Sequence, residues 1–156
     1  MGGIILTSPG YLELLRSNKT FARLWGSNMI LYIGDWFTVL AMFLLAGDAT
    51  DNSPLAIAGV LAVRSFTFAP LEPITGMLAD RYPRKYLMII ANLFSFVILI
   101  SFILTGILDN LFSVYALTIL LVVGRAIYDP AGTAYLPTIC NEEELLTANA
   151  LISGGW

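Results

Sequence analysis

Five ionisable side chains interrupt otherwise apolar stretches of this chain: Asp35, Arg64, Glu72, Arg125 and, nearer the end of its stretch, Asp129. A charge at the centre of a membrane-spanning helix costs about 2.5–3.5 kcal/mol even on a lenient insertion scale. Such residues pair with one another, line water or move protons. Counted from the basic ends of the stretches at about 1.5 Å per residue, Asp35 lies about 21 Å deep and Arg64 about 24 Å. On the same count Glu72 lies about 12 Å deep and Arg125 about 12–16 Å. Two acid–base pairs at matched depth are geometrically open, Asp35 with Arg64 and Glu72 with Arg125. Either the pairs only neutralise one another and orient a helix bundle, or Asp35 or Arg125 lines a water-filled cavity and handles substrate or protons. The chain has no histidine, which leaves carboxylates as the proton carriers.

A second group stands in a turn. Gly76 to Lys85 reads G-M-L-A-D-R-Y-P-R-K between two long apolar runs. Asp80 falls at the C-terminal end of a helix, where an acid opposes the helix dipole, so it is expected to serve a partner elsewhere. Arg81, Arg84 and Lys85 fix which side of a membrane the turn faces. No phosphate-binding loop, metal cluster or nucleophile–base set occurs, so neither an enzyme nor a cofactor or metal is expected. Cys140 is the only cysteine; it cannot form an internal disulfide and reads as an incidental loop residue.

The elements that must carry these groups follow from hydropathy. The 156 residues are 58% hydrophobic and 12% charged, against roughly 25% charged in a soluble domain. Lipid is the expected solvent, and a net charge of −3 gives no reason to expect nucleic acid. Residues 1–20 read as a cytoplasmic tail with a polar, basic lead-in from Pro9. Met1 to Leu6 is too short for a signal peptide, so insertion through the first helix is expected. Apolar stretches at about 21–46, 54–79, 86–108 and 111–133 are each long enough to cross roughly 30 Å of hydrocarbon. The fourth is expected to be interrupted late by Asp129-Pro130. Asn141, with Glu144 three residues on, predicts a helix start, and about 145–156 is the beginning of a fifth helix, too short to cross. The fold expected is all-α and integral to the membrane, with four crossings plus the start of a fifth.

Six of the eight Lys and Arg residues lie before or at the very start of the first crossing (Arg16, Lys19, Arg23) or between the second and third (Arg81, Arg84, Lys85). That side is cytoplasmic by the positive-inside rule. Pro70 and Pro73 are expected to bend the second crossing near Glu72. Tyr32 and Trp36 flank Asp35 and serve either substrate stacking or ordinary packing.

Three segments in order carry a family resemblance. F-A-R-L-W-G-S-N-M-I-L-Y-I-G-D-W-F (Phe21 to Phe37) is similar to the first helix of the major facilitator superfamily branch that contains bacterial siderophore and macrolide exporters. Gly76, Asp80, Arg81, Arg84 and Lys85 match that superfamily's signature loop, with Pro83 where the wider superfamily prefers glycine. Gly124-Arg125, Asp129-Pro130-Ala131, Leu136-Pro137, Glu144-Leu145 and Ala148 to Leu151 resemble the branch's fourth helix and the start of its fifth, although Tyr128-Asp129 departs from the wider pattern.

The resemblance implies most of one six-helix bundle of a twelve-helix secondary transporter in the bacterial inner membrane. Its N-terminus would be cytoplasmic, and it would export a small molecule by proton-coupled alternating access. The signature loop would act as a latch in which Asp80 engages a helix of the opposite bundle. Arg125 corresponds to the superfamily's arginine in helix four, with Asp35 as a candidate coupling carboxylate. The partners implied are the lipid bilayer, a small-molecule substrate and a second helix bundle beyond residues 21–156. A truncated homologue serving as a non-transporting subunit of a larger membrane complex is the alternative.

Overall fold

The computed structural model describes residues 9–154. The reading of Met1–Leu6 and the last two residues of the predicted fifth helix lie outside them. Among the described residues six helices follow in order: α1 Tyr11–Ser17, α2 Lys19–Asp48, α3 Pro54–Arg81, α4 Arg84–Thr105, α5 Leu111–Ile139 and α6 Glu142–Ser153. No strand occurs among the described residues. Helices α2 to α5 are each long and apolar enough to cross a membrane, so the chain is an all-α, multi-pass membrane protein. The four expected crossings are α2 to α5, and the expected fifth helix is α6.

Boundaries differ from the sequence expectation for identifiable reasons. The lead-in is not wholly irregular, because α1 forms within it. The Gly10 N–H donates to Glu13 Oε2 at 3.4 Å, and Leu14 is fully buried. The third crossing begins at Arg84 and stops at Thr105, where Gly106 takes the left-handed conformation (φ 62°) that ends helices. The interruption expected at Asp129-Pro130 does not occur. Helix α5 continues through Pro130 and Pro137 to Ile139, and Ala131, Gly132 and Leu136 on that segment are buried. Packing here outweighs the local cost of proline. Helix α3 likewise runs unbroken through Pro70 and Pro73.

The chain divides into two compact units. One comprises Met1–Trp36 with Tyr135–Trp156, and the other Phe37–Ala134. In the first, Leu14, Phe21, Leu136, Cys140 and Ala148 form the core, which places Cys140 inside the packing rather than in an incidental loop. Around that core, Asn18 caps α2 by accepting from the Phe21 N–H at 3.0 Å. The Asn18 amide donates to the Ile139 carbonyl at 2.7 Å and to Glu144 Oε2 at 3.2 Å. Helix α6 starts as the spacing predicts. Asn141 Oδ1 accepts from the Glu144 N–H at 2.9 Å, and Glu144 Oε2 from the Asn141 N–H at 3.0 Å.

In the second unit, Met42, Ala46, Val60, Val114 and Leu117 form the core. Helices approach closely where a side chain is absent. A Cβ on Gly124 would stand 2.1 Å from Ser95 Oγ and 3.3 Å from the Ala91 carbonyl oxygen of α4. Small residues allow this approach between membrane helices.

Candidate functional site

Asp35 on α2 and Arg64 on α3 are each half-buried, and each is engaged by a polar or electrostatic interaction. Arg125 and Asp129 form an ion pair within α5. Arg125 Nε donates to Asp129 Oδ2 at 3.0 Å, and the side chains are only 12% and 18% exposed. The Glu72–Arg125 pair open on depth is therefore not the one made. An acid one helical turn away is already within reach, and counting depth between helices overlooks it. Glu72 is exposed on α3, and its carboxylate has no hydrogen-bond or ion-pair partner among the described residues, although its backbone carbonyl accepts from Thr75 Oγ1 at 3.2 Å.

The α3–α4 turn is set by its backbone. The Tyr82 N–H donates to the Leu78 carbonyl at 3.1 Å and closes α3, while the Pro83 carbonyl accepts from Tyr86 and Leu87 at 2.9 and 3.2 Å and opens α4. Proline suits this place because its fixed φ fits the position just before a helix. Of the signature side chains, Arg84 is tied down, donating from its guanidinium to the Ala134 carbonyl of α5. Gly76 is half-buried. Asp80, Arg81 and Lys85 are exposed, and none has a side-chain partner among the described residues. The structure leaves the misplaced acid at the end of α3 open to the outside.

Three residues hold the first unit together, of which spacing singled out Glu144 alone, and only as part of a helix start. Asn18 and Glu144 bridge α1, α2, α5 and α6, and Thr147 Oγ1 donates to the Pro9 carbonyl at 2.8 Å. Nearby, burial and then the Glu144 carboxylate push the Cys140 thiol above the usual range.

Comparison with known proteins shows the family. The Major Facilitator Superfamily profile matches residues 24–156. Over 80 residues the chain is 32% identical to the uncharacterized MFS-type transporter YfiS of Bacillus subtilis (strain 168), an alignment covering 51% of this chain and 19% of that protein. No solved structure matches. The superfamily profile spans most of the sequence, including the α3–α4 turn and the Arg125–Asp129 pair, and the chain belongs to the Major Facilitator Superfamily.

Proposed function

We propose that this chain supplies most of the N-terminal six-helix bundle of a secondary transporter, exporting a small molecule in exchange for protons across the bacterial cytoplasmic membrane. Residues 21–156 form the bundle segment and the N-terminus faces the cytoplasm, where the basic residues cluster. The substrate site lies near mid-membrane against a second bundle. The observation that carries the proposal is Asp80. It is an exposed acid at the wrong end of its helix, without a partner among the described residues, within a turn that matches the family's latch. In the latch reading, Gly76 permits close contact and Asp80 caps a helix of the opposite bundle in one conformation only. Arg81 and Lys85 stay at the cytoplasmic surface, while Arg84 anchors the turn to α5. Asp35 is the coupling carboxylate, and Arg125 belongs to the cavity wall. Arg64 and Glu72 supply the remaining intramembrane charges.

The siderophore and macrolide branch directs the test. In everted vesicles carrying the intact protein, erythromycin or a catecholate siderophore should dissipate a respiration-driven pH gradient. Asp35→Asn should abolish that exchange while inserting normally. Wild-type exchange by Asp35→Asn removes the coupling role from Asp35, and no exchange with either compound removes the branch assignment.

A further inference from the structure

The Arg125–Asp129 ion pair of α5 sits beside a proline. Pro130 has no N–H, so it cannot make the backbone bond to the Ala126 carbonyl one turn earlier, and its ring crowds that carbonyl. Asp129, as the residue before proline, is also pushed away from helical geometry. The Thr133 hydroxyl adds to this by donating to the Asp129 carbonyl at 3.1 Å, a contact of the kind that bends helices. Three features thus weaken the same turn of α5. Yet α5 is continuous through it.

The Arg125–Asp129 pair spans residues 125 to 129, one register before the missing bond from 126 to 130. Its 3.0 Å contact is largely covered, with side chains 12% and 18% exposed, so solvent screens it less than an exposed pair. We infer that this pair is a staple that replaces the backbone bond Pro130 removes and holds α5 continuous through that turn. When an anion draws the Arg125 guanidinium away from Asp129, the staple opens and α5 is free to bend at Pro130. This assigns Asp129 a conformational part in which Arg125 is its lever. The anion step rests on the transport reading of Arg125, whereas the staple itself does not.

Hydrogen exchange of the α5 amides tests the staple in the intact protein in lipid nanodiscs, without any transport readout. Asp129→Asn and Arg125→Gln should each raise exchange of residues 126–134 at least tenfold, and the double variant should add little, since both open one contact. Pro130→Ala, which restores the N–H, should return the Asp129→Asn variant to wild-type protection. Asp129→Glu keeps the charge and should retain most of the protection, which guards against a variant that merely misfolds. Unchanged exchange in Asp129→Asn overturns the staple, and so does exchange that stays raised after Pro130→Ala. Intact staple behaviour together with failed exchange in the vesicle assay would leave the staple standing and remove only the anion step.

Discussion

At the α5–α6 turn, Asn141 and Glu144 cap one another, and Glu144 also receives the Asn18 amide. At the α3–α4 turn, Asp80, Arg81 and Lys85 stand exposed, and the chain is shaped by its backbone with Arg84 held on the Ala134 carbonyl. Both turns are short, polar and flanked by long helices. In one the acidic side chain completes the fold, and in the other the acid contributes nothing to it. Burial obliges a polar group to find a protein partner, and the half-buried Glu144 has two; the exposed Asp80 is free of that obligation, and in the proposed latch its carboxylate is kept for a contact outside this fold. Under that proposal, the contrast separates the part of this chain that holds its shape from the part that acts on something else.

Substitutions at the two turns should therefore diverge. Glu144→Ala should cost the most, about 2 kcal/mol, since it removes a cap and a bond from the Asn18 amide at once. Unfolding from mixed micelles, followed by tryptophan fluorescence, measures it, and a cost below half of that would dissolve the contrast. Arg84→Ala is the exception within the open turn. It should lose about 1 kcal/mol, because its guanidinium holds the Ala134 carbonyl, and the same unfolding series reads it. Asp80→Asn should change stability by less than about 0.5 kcal/mol. The smallest effect concerns Cys140, whose thiol is pushed up by burial and by Glu144. A raised thiol pKa keeps the reactive thiolate scarce, so maleimide labelling should be slow at neutral pH and should climb only above the usual thiol range. Glu144→Gln should bring that rise to lower pH, and a Cys140 that labels at once at neutral pH would contradict its burial.

Hydropathy made the four long helices legible, because each apolar run is bounded by turn residues and needs no tertiary information. The start of α6 was legible too, since Asn141 and Glu144 act within one turn of each other. Helix α1 was not. Seven residues are too few to show a period, and the helix is held by bonds to positions more than a hundred residues away. The passage of α5 through Pro130 and Pro137 was hidden for a related reason, as local preference argues for a stop and only burial overrides it. At the candidate site, the intramembrane charges were visible from the sequence, but an acid for Arg125 was sought on another helix when one lay four residues away. The exposure of Asp80 follows from its place at a helix end, which the sequence showed directly.

The most direct measurement sets stability and proton-coupled export side by side for Asp80→Asn in the intact protein. The account predicts wild-type unfolding with export reduced at least tenfold, because the acid serves a contact outside this fold. Export at the wild-type level, or a loss of export matched by a loss of stability of the size expected for Glu144→Ala, would contradict it.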